Sequence, residues 1–185
     1  MIVNKRRPLV PKQYVPPDLV PVPVAHTNSP VLRKAAAAAV VTMFAAARRA
    51  GVDLASNSAY RSYTQQRAVY GEDLKAHGRA AADLLTARPG FSEHQTGLAI
   101  DIGAASGRCS LNPCFARTRE ARWLVTHAWS YGFVLRYPRG LTPVTGYDFE
   151  PWHYRYVGRP LASTIRRSGA PTLEQYFRLP AAPTY

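Results

Sequence analysis

Ser92-Glu93-His94-Gln95-Thr96-Gly97-Leu98-Ala99-Ile100-Asp101-Ile102-Gly103 carries the clearest pattern in the chain. Leu98, Ile100 and Ile102 alternate with Ala99 and Asp101, and this alternation predicts a strand over residues 97–103. The same stretch holds a His and an Asp seven positions apart. On one straight strand an odd separation puts them on opposite faces. Gly97 lies between them and can bend the chain. His94 is therefore expected in the loop entering the strand, and Asp101 inside it on the polar face. Asp101 stands between Ile100 and Ile102, so it should be at least partly buried. A buried carboxylate needs a partner: a metal ion is one, backbone amides are another.

The neighbouring segments follow from this strand. A first helix is predicted from the capping pair Ser29-Pro30 through an alanine-rich stretch to Ala50, with Gly51 as its stop. Residues 52–60 read as a strand. Residues 64–77 and 79–87 read as helices broken near Gly78. A helix over 117–130 precedes strands over 133–137 and 152–157, and short helices are expected over 160–167 and 173–177. Helices and strands come in groups, not in strict alternation. That predicts an α+β fold with a small, largely antiparallel sheet packed with helices. Residues 1–27, rich in Pro and Val, read as an extended arm laid over the surface. Residues 28–185 read as one domain.

A chain of 185 residues that is 46% hydrophobic can bury a core as a single domain. Its net charge of +13 draws anionic partners such as nucleic acid or a bacterial envelope, although a solvated basic face explains it equally well. No helix-turn-helix, zinc finger or aromatic RNA-binding pattern is present, and the basic residues are spread along the chain, so no nucleic acid partner is expected. The apolar stretch 35–47 is too short for a membrane span of about 20 residues and suits a core helix. Lys5, Arg6 and Arg7 are followed by prolines, not by the apolar core of a signal peptide. Any secretion signal or anchor is expected outside these residues.

Cys109 and Cys114 flank Asn112-Pro113, a turn-forming pair that can bring them within bonding reach. A local disulfide is the preferred reading over two free thiols, and it implies an extracytoplasmic location. A zinc knuckle lacks its second ligand pair.

A second motif is Phe149-Glu150-Pro151-Trp152-His153-Tyr154-Arg155-Tyr156. His153 opens an aromatic strand, on the face opposite Trp152 and Tyr154. Pro151 holds Glu150 extended and offers a bend that can turn it toward the same pocket. A His beside aromatic residues is also an ordinary packing arrangement. Two His and one carboxylate, with a second carboxylate nearby, supply the parts of a catalytic zinc site and its general base. Glu93, beside His94, is a second candidate base but a possible decoy; Glu150 is preferred because it lies three residues from His153 in the same segment. His26, His77 and His127 have no partners at useful spacing.

Taken together, Ser92-x-His94-x-x-Gly97-x-Ala99-x-Asp101 and Glu150-x-x-His153 resemble the signature of VanY-type D-alanyl-D-alanine carboxypeptidases. Ser58-Ala59-Tyr60-Arg61-Ser62 with Gln66 is similar to that family's substrate-binding stretch, and the likeness runs over about residues 28–160. The resemblance implies a Hedgehog/D-Ala-D-Ala-peptidase-like fold. It implies one Zn²⁺ held by His94, Asp101 and His153, with Glu150 as catalytic base. Arg61 would bind the scissile carbonyl or the substrate carboxylate, and Ser92 and Gln66 would be secondary contacts. The reaction implied is removal of terminal D-alanine from peptidoglycan stem peptides; separately, a monomer is expected. L,D-carboxypeptidases and D,D-dipeptidases share these motifs. A wall-binding module that keeps zinc without turnover is the alternative of another class.

Overall fold

The computed structural model describes residues 1–185. Strands β1 (Leu19–Pro21) and β2 (Val31–Arg33) pair antiparallel ahead of helix α1 (Lys34–Arg49). Strand β3 (Leu54–Ser58) leads into α2 (Tyr63–Leu85), which is kinked at Gly78, where φ is 74°. Then come β4 (Ala99–Ala104), α3 (Arg119–His127), β5 (Phe133–Leu135), the short α4 (Thr142–Thr145) and β6 (His153–Tyr156). Helices α5 (Arg159–Ser168) and α6 (Leu173–Tyr176) end the chain. The main sheet has the order β3-β4-β6-β5, and every neighbouring pair is antiparallel. This is the mixed architecture that the grouped helices and strands predict: a small antiparallel sheet packed against helices.

The core lies on one side of that sheet. Ile100 and Ile102 of β4 and Tyr154 of β6 pack with Val40, Met43 and Phe44 of α1 and with Leu124 of α3. The buried residues of α1 recur at helical spacing, Ala36, Ala37, Val40, Met43, Phe44 and Ala47, so the alanine-rich stretch presents one apolar stripe. Each fully buried side chain of this size stabilises the fold by about 1.5–3 kcal/mol. The other face of β4 and β6 carries Asp101, His153 and Arg155 away from this core. Alternation along the strands thus separates packing from polar chemistry.

The first helix begins at Lys34, not at the Ser29-Pro30 pair. Val31–Arg33 instead pair with Leu19–Pro21, and Leu32 is buried in the core. The Pro30 carbonyl accepts a hydrogen bond from the Val22 amide at 2.9 Å. A strand partner brought in from the proline-rich segment overrides the local capping signal. The break near Gly78 is where the sequence puts it. The helix expected over 117–130 is divided: a 3-10 turn precedes α3 and another, Ala128–Tyr131, follows it.

The first residues are tied into the molecule. Val3 and Leu9 are buried, and the Gln95 amide donates to the carbonyls of Lys12 and Tyr14 at 2.6 and 3.0 Å. The Cys109–Cys114 disulfide closes the loop after β4 across a Cα separation of 5.6 Å. There Asn112 Oδ1 accepts from the Cys114 amide, the local turn that Asn-Pro favours. No helix is long and apolar enough to cross a membrane.

Candidate active site

His94 lies in a 3-10 turn, Glu93–Thr96, that ends at Gly97 with φ 65°. Strand β4 starts two residues later. The antiparallel register places Asp101 directly opposite His153 of β6. Cross-strand pairing brings these two together, and the reversal at Gly97 folds His94 over them. His94 Nε2 lies 3.3 Å from Asp101 Oδ2, and His153 Nδ1 lies 3.3 Å from Asp101 Oδ1. One donor atom from each of the three residues lies within 4.8 Å of the others. All three are buried, at 5%, 4% and 4% exposure for His94, Asp101 and His153.

The donor atoms are prepared for a cation. His94 Nδ1 donates to the Ala59 carbonyl at 2.6 Å, so Nε2 keeps its lone pair for the cluster. Asp101 Oδ1 is buried without a hydrogen-bond partner. Two imidazoles and a carboxylate, converging where no protein donor satisfies them all, fit a divalent metal.

Gly97 is required by this geometry. A Cβ there would meet Leu19 Cδ2 at 2.9 Å and Arg33 Cγ at 3.0 Å, in a left-handed backbone that other residues resist. Gly97→Ala is expected to destabilise the protein by at least about 1–2 kcal/mol, the left-handed penalty alone. The overlap adds to that cost. Thermal unfolding of the two proteins checks it.

The cluster lines a cleft of about 430 Å³, which also reaches Arg61, Ser92, Glu150 and the rings of Tyr137, Tyr147 and Trp152. A second cavity of about 500 Å³ beside the disulfide loop contains none of these residues. Glu150 Oε2 lies 3.3 Å from His153 Nδ1, so the bend at Pro151 does deliver Glu150 to the ligand cluster. Arg61 Nη1 donates to Gln66 Oε1 at 3.0 Å and Nη2 to Ser58 Oγ at 2.9 Å, which aims the guanidinium into the cleft. Gln66 is itself buried, and its amide donates to the Ala87 carbonyl at 2.7 Å. It also lines the cleft beside Arg61. Ser92 is buried at the cleft and its side chain does not cap the turn that follows.

Charge at the site is set by burial and by close partners. Burial raises the Glu150 carboxyl, with the His153 hydrogen bond working the other way. Burial also acts to raise Asp101, but His94 and His153 hold it well below the usual carboxylate range. Burial pushes His94 down against the pull of Asp101. For His153 burial acts downward too, yet its contacts with Asp101, Glu150 and Glu93 raise it well above an ordinary imidazole.

Glu93, the second candidate base, is turned to another task. Its Oε1 accepts from Arg136 Nε at 3.0 Å and from Arg155 Nη1 at 2.9 Å, fully buried. Neither arginine is evident from motif reading. Arg155 has a signal in hindsight, since it follows His153 by two positions on a strand and must share its face. Arg136, wholly buried between apolar neighbours, has none.

Comparisons with known proteins identify the family. The family model described as VanY: D-alanyl-D-alanine carboxypeptidase matches residues 29–159. The protein YodJ of Bacillus subtilis (strain 168) is 41% identical over 181 residues, which are 95% of this chain and 66% of YodJ. The chain thus spans just under two thirds of that relative. The solved structure of the LdcB LD-carboxypeptidase superposes with a TM-score of 0.87 at 41% identity, over 95% of this chain and 84% of that one. A vancomycin resistance D,D-pentapeptidase VanY mutant, solved in complex with Zn(II), gives 0.79 at 33% identity, over 96% and 97%. Fold, paired motifs and matched span lead to one assignment: the chain belongs to the VanY family of D-alanyl-D-alanine carboxypeptidases.

Proposed function

We propose that the protein is a zinc-dependent carboxypeptidase that releases C-terminal D-alanine from peptidoglycan stem peptides outside the cytoplasm. The observation that carries this reading is the buried His94–Asp101–His153 cluster lining a cleft, with Glu150 against it and Arg61 lining the same cleft. Zinc is the metal favoured by two imidazoles and one carboxylate, and a VanY relative was solved with Zn(II). When bound, zinc supplies Lewis acidity and lowers the pKa of a bound water to about 7.

The chain's own residues do the rest. Glu150 takes a proton from the attacking water at its carboxylate and returns it to the leaving amine. Arg61 offers a planar fork to an oxyanion or carboxylate of the substrate, oriented by Gln66 and Ser58. Gln66 then acts through Arg61, and Ser92 is left as the small polar wall beside His94. Arg61→Lys keeps the charge and loses the fork, so kcat/KM is expected to fall on the order of 10²-fold, the cost of one oxyanion donor. Steady-state kinetics of the variant checks this.

The bond cleaved has two readings. The motifs resemble those of D,D-carboxypeptidases, whereas similarity to the LdcB LD-carboxypeptidase, at 41%, exceeds that to the VanY D,D-pentapeptidase, at 33%. D-alanine release from a stem pentapeptide and a tetrapeptide separates them. Release from the pentapeptide alone makes the enzyme D,D, and release from the tetrapeptide alone makes it L,D. Release from neither, in a protein that holds zinc, overturns the carboxypeptidase reading.

A further inference from the structure

We infer that Glu93 is a positioning residue for the metal ligand His153, fixing its tautomer through a buried ion network that joins both ends of the chain. The inference rests on the metal-site reading above. A neutral imidazole has one N–H and one lone pair. His153 Nδ1 faces Asp101 and Glu150, each at 3.3 Å, so that nitrogen is the one available to a metal. The proton then belongs on Nε2, which is buried and has no hydrogen-bond partner. Glu93 Oε2 stands 3.6 Å from it and is likewise buried without a partner. The two orphaned atoms complement each other, and a small closing movement makes an N–H···carboxylate bond. Carboxylates placed behind metal-bound histidines orient the ring and raise its basicity.

Glu93 is held for this role by its other oxygen. Oε1 accepts from Arg136 and Arg155, which leaves Oε2 free toward His153. Arg136 in turn makes a two-bond fork with Glu174 of α6, at 2.9 and 2.6 Å. Asn4 also donates to Glu174, and Arg155 Nη2 donates to the Met1 carbonyl at 2.8 Å. Two guanidinium groups and two carboxylates balance in charge, as burial demands. A network serving stability alone has no need of an unshared carboxylate oxygen beside a ligand ring.

The test is zinc affinity, by competition with a chelating dye, for the wild type, Glu93→Gln and Glu174→Gln. Glu93→Gln is expected to bind zinc about 10–100-fold more weakly. Glu174→Gln, at the far end of the network, is expected to lower the melting temperature and leave affinity unchanged. Equal affinity of the wild type and Glu93→Gln overturns the inference and leaves the zinc reading standing. A wild type that binds no zinc overturns both. Should Glu93→Gln fail to fold, ¹⁵N-histidine NMR of the zinc-loaded wild type decides. A proton on His153 Nε2 with Nδ1 on the metal is expected, and the reverse tautomer refutes the role of Glu93.

Discussion

Glu150→Gln is expected to lower D-alanine release by on the order of 10²–10⁴-fold, the range for loss of a positioned general base. Zinc content should be retained. The Gln side chain has nearly the same shape, and Glu150 stands beside the ligand His153 rather than among the three converging residues. The pH profile carries a second signature. A general base works only as a carboxylate, and burial raises Glu150 above the ordinary carboxylate value of 4.5. Activity should therefore fall on acidification as Glu150 takes up a proton. Glu150→Gln should lose that pH dependence with the rate. Stopped assays of D-alanine across pH, run beside metal analysis of both proteins, check rate, pH dependence and zinc together. A variant of unchanged rate would remove Glu150 from the chemistry.

Asp101→Ala should have the larger effect on the site as a whole. Asp101 is the hub of the cluster, 3.3 Å from both His94 and His153. Structural zinc sites in small peptides provide about 10–16 kcal/mol, so one ligand in three represents about 4 kcal/mol. That corresponds to a loss of zinc affinity on the order of 10³-fold. Turnover at limiting zinc should drop to that of the metal-stripped wild type. The variant also leaves two imidazoles facing each other without the carboxylate between them. Competition binding with a zinc dye gives the affinity, and activity against added zinc shows whether the loss is one of binding.

Much of this site is legible in the sequence because its parts obey local rules. The alternation of Leu98, Ile100 and Ile102 marks β4, and the odd spacing of His94 and Asp101 makes a bend at Gly97 necessary. The spacing of Glu150 and His153 around Pro151 is equally local. What local rules miss is what distant segments impose. Ser29-Pro30 reads as a helix start, but Leu19–Pro21 supply a strand partner and the helix waits until Lys34. Gln66 reads as a substrate contact, and the fold adds what the motif does not show: it lines the cleft with its side chain bonded to Arg61 and to the distant Ala87 carbonyl. Glu93 reads as a candidate base because it adjoins His94. Only the fold shows two arginines from β6 and the end of β5 converging on it. Buried arginines such as Arg136 have no periodic signal, since their partners are 43 and 38 residues away.

The most direct measurement is D-alanine release by protein stripped of metal with a chelator and then restored with one equivalent of zinc. The site described here predicts that stripping abolishes release from the stem peptide that the enzyme accepts. It also predicts that one zinc per chain restores it, and that Asp101→Ala stays inactive under the same treatment. Full activity in the stripped protein would contradict a metal-dependent mechanism at His94, Asp101 and His153.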